Sequence, residues 1–222
     1  MGWKTSRETS IIFLPIKTLI NFYNIKYIRG DIVLQEEQRV NIIRVLDEAV
    51  KAIKDGNIVL LKDLSNQTIH DASTVQDQYS ITIAIIIYSL SKIHERENHY
   101  GQFKGWRTFC YDCVRGLELA KIKLEKFDIK GFDKEIKNYL NTLKKLDTKL
   151  KNYIQDVFER AKLNKASRIH EHGVSIGRTA ELLGVSRYEL MDYIGKTFIS
   201  DVKDNLTIDP IKRMKMTREI FK

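Results

Sequence analysis

Proline is almost missing from this chain of 222 residues, occurring only as Pro15 and Pro210. Nothing between them interrupts a helix, so long helices can form through the whole middle of the sequence. Cysteine is as sparse, with Cys110 and Cys113 alone, which excludes a small disulfide-stapled scaffold. No apolar run reaches the length that spans a bilayer. The nearest, Ile11–Ile20 (IIFLPIKTLI), is short and broken by Pro15 and Lys17. Lys4 and Arg7 ahead of it imitate a signal peptide, but no small-residue cleavage site follows. A phosphate-cradling glycine loop, a nucleophile elbow and a paired-carboxylate motif are all missing, as are internal repeats.

What the chain does have is charge and helical periodicity. Its formal net charge is +9, with 30% charged and 43% hydrophobic residues, the balance of a globular protein rather than a disordered one. The cation excess favours an anionic partner, although a lysine-rich surface that keeps helices soluble has the same composition. Abundant Ile, Lys and Glu also suit a hot, AT-rich genome. Met1-Gly2 with Ser6 matches a short myristoylation pattern, and Asn66-Gln67-Thr68 and Asn205-Leu206-Thr207 are sequons that matter only in a secreted protein. The expectation is a cytoplasmic protein without membrane association.

The apolar spacing predicts an all-α fold: an N-terminal helical bundle with a long amphipathic helix leading to a C-terminal helix-turn-helix. Residues 1–34 form an extension of undetermined structure, 35–165 the bundle, and 166–222 the helix-turn-helix with its tail. In the bundle, Val40, Ile43, Leu46, Val50 and Ile53 predict a helix over about Gln35–Asp55. A short apolar piece, Ile58–Leu64, then runs into the polar stretch SNQTIHDAST, where Asp71 or Ser73 can cap the next helix. That helix, about Thr74–Glu97, is apolar nearly all round and so belongs at the centre. Its β-branched run Ile81–Ile87 is also compatible with a buried strand. After a loop marked by Gly101 and Gly105, Phe109, Val114, Leu117, Ala120 and Leu124 form the core face of a helix over Trp106–Lys126. Ile136, Leu140, Leu143, Leu150, Ile154, Val157 and Ala161 predict one long helix from Asp133 to about His170, with lysines 134, 137, 144, 145, 149 and 151 on its other face.

Ile176–Gly195, IGRTAELLGVSRYELMDYIG, carries the most specific pattern. A first helix over Ile176–Leu183 places small Ala180 where two helices cross closely. Gly184 supplies the turn, where a left-handed backbone is free only to glycine. Val185 fills the angle between the helices, and Ser186 with Glu189 three residues on forms a capping box. Leu190 and Tyr193 return to the core, and Arg187, Tyr188, Met191 and Asp192 fall on outward positions. A plain helical hairpin shares the glycine turn. As a helix-turn-helix the segment would bind double-stranded DNA, with Ser186, Arg187 and Tyr188 meeting base edges or phosphates and Arg178 and Lys196 holding the backbone. Glu189 and Asp192 stand against this, since carboxylates repel phosphates.

The stretch His172–Thr197 resembles the short helix-turn-helix of small predicted antitoxins of archaea and bacteria. Ser175, Gly177, Ala180, Glu181, Leu182, Gly184, Ser186, Arg187, Tyr188 and Glu189 stand at matching positions, and Thr179 replaces the usual alanine. The resemblance covers about a tenth of the chain. It implies a non-enzymatic DNA-binding regulator, acidic residues in the second helix included, whose C-terminal tail engages a partner toxin, often a PIN-type ribonuclease. The rest of the chain resembles archaeal helical proteins that bring no activity with them. A homodimer without cofactor is expected. The tail itself, opened by Asp209-Pro210, is a basic amphipathic segment (IKRMKMTREIFK) suited to docking on a protein or nucleic acid.

Two chemical readings compete. His94, His99, Cys110 and Cys113 could complete a tetrahedral zinc site, although buried free cysteines are ordinary core residues. Lys92, His94, Arg96 and His99, with Arg168, His170 and His172, could serve RNA cleavage as in some all-helical ribonucleases. A helical scaffold whose helix-turn-helix is purely structural is the remaining alternative; buried Arg187 and Tyr188 would favour it. In the TIHDAST stretch, His70-Asp71 is more simply read as part of a cap.

Overall fold

The chain folds as a layered stack of α-helices, shown by a computed structural model that describes residues 34–142, 146 and 148–198. The helices are α1 (Glu36–Lys54), α2 (Ile58–Val75), α3 (Gln78–His94), α4 (Glu97–Tyr100), α5 (Trp106–Glu125), α6 (Ile129–Thr142), α7 (Thr148–Glu171), α8 (Ile176–Leu183) and α9 (Arg187–Phe198). There is no strand among the described residues. Residues 1–33 of the N-terminal extension, the basic C-terminal tail, Leu143, Lys144, Lys145 and Asp147 lie outside them.

At the centre, α3 packs on α2, α7 and α1. Every residue from Tyr79 to Ile87 is buried, so the β-branched run is a helix apolar on all sides, not a strand. Buried hydroxyls in it bond to carbonyls of the same helix: Thr82 Oγ1 donates to the Gln78 carbonyl and Ser89 Oγ to that of Ile85, both at 2.8 Å. Asp77, not Asp71 or Ser73, is the cap. Its carboxylate accepts from the amides of Tyr79 at 3.1 Å and Ser80 at 2.8 Å.

The polar stretch after Leu64 is not a loop. It continues α2 to Val75, because its hydroxyls hydrogen-bond to carbonyls and can therefore be buried. Ser65 Oγ donates to Ala84 O on α3, and Thr68 Oγ1 to Leu64 O, both at 2.7 Å. The helix closes at Gln76, whose backbone is left-handed (φ 53°).

In α1 the buried face is turned from the expected one. Arg39, Ile42, Val45, Leu46, Ala49, Val50 and Ala52 are inside, while Val40 is half exposed and Ile43 and Ile53 lie at the margin. The alanines let α1 pack closely, and the Arg39 guanidinium reaches across to the Leu124 carbonyl of α5 at 2.8 Å while pairing with Glu36. A polar head in that face is what the apolar count misses.

The long helix expected from Asp133 to His170 is two helices. The seam of α6, Phe132, Ile136, Tyr139 and Leu140, packs on α5, whereas that of α7 packs on α3 and α2. The two seams serve different partners, with α6 ending at Thr142 and α7 beginning at Thr148. The expected core of α5 is in place, with Val114 at its margin and Cys113 and Trp106 added.

Candidate nucleic-acid interface

The last two helices rest on α7 and touch the α2–α3 corner. Gly173 (φ 91°) ends α7, and the Val174 carbonyl accepts from His170 Nδ1 at 2.8 Å. The His172 ring meets His70 of α2 edge to face, with centroids 4.8 Å apart. Ser175 then caps α8, its hydroxyl accepting from the Arg178 amide at 3.3 Å. This cap was not singled out in the sequence, although Ser175 stands one residue before the helix, where a cap belongs.

α8 spans the residues the sequence assigns it and ends at Gly184, which is left-handed (φ 62°). Val185 is half-buried in the angle between the helices, and Ala180 is buried. The capping box is reciprocal: Ser186 Oγ accepts from the Glu189 amide at 3.0 Å, and a Glu189 carboxylate oxygen accepts from the Ser186 amide at 3.1 Å. Thr179, the departure from the antitoxin pattern, is buried, with its hydroxyl 3.5 Å from the Val174 carbonyl. Leu190 is buried, and the hydroxyl of half-buried Tyr193 accepts from Asn164 of α7 at 3.3 Å.

The five expected DNA contacts are all solvent-exposed residues but differ in freedom. Ser186 is engaged in the capping box. Arg178 is held on both sides, by the Gln76 side-chain carbonyl at 3.0 Å and by Glu181 at 3.1 Å. Beside it Gln78 Nε2 donates to the Leu182 carbonyl at 3.3 Å, so two glutamines of the α2–α3 corner clamp α8. Lys196 pairs with Asp192 at 2.6 Å. Arg187 makes no hydrogen bond or ion pair among the described residues. Its guanidinium lies instead over Gly177, where a Cβ would come within 3.2 Å of it. Tyr188 is 81% exposed and Met191, which was not counted among the contacts, 57%. Across α8 and α9 three cations (Arg178, Arg187, Lys196) face three carboxylates (Glu181, Glu189, Asp192).

The residues of the rival chemistries are engaged with other neighbours. His99 sits in an aromatic box with Tyr100, Phe103 and Tyr153. The His94 ring lies 6.1 Å from that of Trp106, and burial lowers its pKa. Burial raises the Cys110 thiol to about 11, and lifts fully buried Cys113 well above its ordinary range. Among the described residues no three His, Cys, Asp or Glu side chains converge on a metal position. Arg168 is tied to Glu171 at 2.8 Å. A groove of about 550 Å³ between α1 and the end of α2 is lined by Gln38, Asn41, Arg44, His70 and Asp71 among others. It therefore holds the His70-Asp71 pair, whose side chains stand 3.5 Å apart.

Two buried amines had no signal in the sequence. Lys162 and Lys165 of α7 are almost wholly enclosed. Lys162 pairs with Glu159 at 3.2 Å. Lys165 donates to Asn66 of α2 at 2.8 Å and lies 4.2 Å from the centre of the Tyr88 ring of α3. Their i,i+3 spacing is that of a lysine face, and only the tertiary packing shows that the face is inside.

No helix among the described residues is long and apolar enough to cross a membrane. No family model, curated protein or solved structure matches the chain.

Proposed function

We propose that this protein is a non-enzymatic, antitoxin-like regulator that binds double-stranded DNA through α8 and α9 as a helix-turn-helix. The observation that carries this reading is the exposure of Arg187 and Tyr188 at the start of α9, while Leu190 and Tyr193 fasten the opposite side to the body. A purely structural pair of helices would have Arg187 and Tyr188 packed against the bundle. In a helix-turn-helix, the N-terminal residues of the second helix are the ones that enter the major groove. Arg187 supplies the unpaired cation there, and the start of α9 adds the positive end of its dipole. Arg178 and Lys196 would flank the groove and reach phosphates with the donors they do not spend on Glu181 and Asp192. A homodimer would place two such helices one turn of DNA apart, and the basic tail would be free for a protein partner.

The balanced charge of α8 and α9 implies few phosphate contacts. With about two to four of them, the logarithm of affinity should fall with the logarithm of salt at a slope of roughly −2 to −4. Fluorescence polarisation on random-sequence duplex at about 50 mM salt tests this. Arg187→Ala should weaken binding several-fold, and absence of binding by the unaltered chain at low salt would end the reading.

The same charge balance favours a second reading, a helical scaffold that offers α9 to another protein. Salt-independent association of the full chain with a protein partner, abolished by Tyr188→Ala without any duplex binding, would decide for it.

A further inference from the structure

The outward face of α9 limits what it can read. Each base pair shows a distinct set of groups in the major groove, and each calls for a particular side chain. Guanine is read by a free arginine or lysine fork. Here the Arg187 guanidinium is drawn back over Gly177, and Lys196 is paired with Asp192. Adenine is read by asparagine or glutamine, and α9, RYELMDYIGKTF, contains neither. Cytosine donates from its amino group to a carboxylate. Glu189 is occupied by the Ser186 amide and Asp192 by Lys196.

What remains free are two apolar side chains. Tyr188 is the most exposed large apolar residue among the described residues, and Met191 follows one turn on. At i and i+3 they form one ridge along the helix. The apolar group that the major groove offers is the 5-methyl of thymine. The charge fits as well. Arg187, which makes no hydrogen bond or ion pair among the described residues, directly precedes Tyr188 at the start of α9 and leaves a cation for the phosphate next to a thymine.

We propose that Tyr188 and Met191 read thymine methyl groups, so that the preferred target is A·T-rich duplex and Arg187 is a phosphate contact rather than a guanine reader. This rests on the DNA-binding reading above and specifies its ligand.

The test uses the full chain and three alternating duplexes, each about two helical turns long: adenine–thymine, adenine–uracil and guanine–cytosine. Uracil differs from thymine only by the missing methyl. The thymine duplex should bind best. Each buried methyl is worth roughly four-fold in affinity, so the uracil duplex should bind about four- to sixteen-fold more weakly. The double variant Tyr188→Ala, Met191→Ala, altered only at exposed positions, should bind the thymine and uracil duplexes alike. Equal affinity of the unaltered chain for thymine and uracil duplexes overturns this inference and leaves DNA binding standing. Binding to none of the three overturns the DNA reading itself.

Discussion

The Nζ of Lys165 lies 4.2 Å from the centre of the Tyr88 ring, inside the joint where α7 meets α2 and α3. Among the described residues its hydrogen-bond partner is neutral, Asn66, and no ion pair joins it to a carboxylate. Burial first, and then the neighbouring cations Arg168 and Lys92, lower its pKa to about 7. The ring face offsets part of this, since a cation is attracted to it. Of the other charged or titratable groups facing this joint, Glu95 is held by Lys62 and Lys92, and the Tyr193 phenol faces Tyr88.

A pH dependence of stability follows. The unfolded lysine keeps its proton up to about pH 10.4, whereas the folded one sheds it near 7. Between those values the unfolded chain binds more protons, so stability rises with pH; below about 7 both forms are protonated and the full penalty is present. From about pH 6.5 to 8.5 the gain from this group is on the order of 2 kcal/mol. Lys165→Met should flatten that rise in thermal or urea melts. An equal slope in both proteins would show that the amine is not the source.

The capping box should behave as a coupled pair. Ser186→Ala should cost about 1 kcal/mol. Glu189→Ala should cost less, and the double variant should cost less than the two combined, because each residue satisfies the other's amide. A Ser186→Ala variant as stable as the unaltered chain in denaturant melts would mean that the cap does not form in solution, and strict additivity would mean that its two bonds act independently.

Gly177 separates stability from binding. Alanine is the better helix former, by up to about 1 kcal/mol, so Gly177→Ala should leave the melting temperature unchanged or raise it. The added methyl would stand 3.2 Å from the Arg187 guanidinium and push it aside. DNA affinity should therefore drop several-fold while stability does not. Unaltered affinity would show that the place of Arg187 over Gly177 has no bearing on binding.

Gln76 holds a left-handed backbone and also the Arg178 side chain. Gln76→Gly relieves the backbone, worth about 1 kcal/mol, and gives up an exposed hydrogen bond, so its stability should be equal or slightly greater. Gln76→Val, a β-branched side chain in the same conformation, should be destabilising by at least about 1 kcal/mol. Comparable melts for the two variants would argue that Gln76 is not left-handed in solution.

The legibility of the chain followed the range of the interactions. Ser186, Glu189 and Gly184 act on amides and carbonyls three or four residues away, so the turn between α8 and α9 could be read residue by residue. The starts and ends of α1 and α5 were legible for the same reason. The polar stretch of α2 misled because a serine or threonine looks like a loop residue until its hydroxyl is known to find a carbonyl such as Leu64 O or Ala84 O. In α1 the stripe of Val40, Ile43 and Ile53 gives way to a face that includes Arg39, because the reach of a guanidinium to the Leu124 carbonyl leaves no mark in an apolar pattern.

By itself the sequence determined an all-α chain, most of its helices, and the turn and capping box that shape its C-terminal pair, since these depend on local hydrogen bonding and on the near absence of proline. Only the tertiary structure decided that α6 and α7 are separate, that Lys165 is enclosed against Tyr88, and that Arg187 lies over Gly177 while Tyr188 and Met191 stand free. Those outcomes depend on which helix lies beside which. A lysine at one spacing is a solvated charge or a buried amine according to the neighbour that covers it, and an arginine lies along its own fold or reaches outward according to the glycine that gives it room.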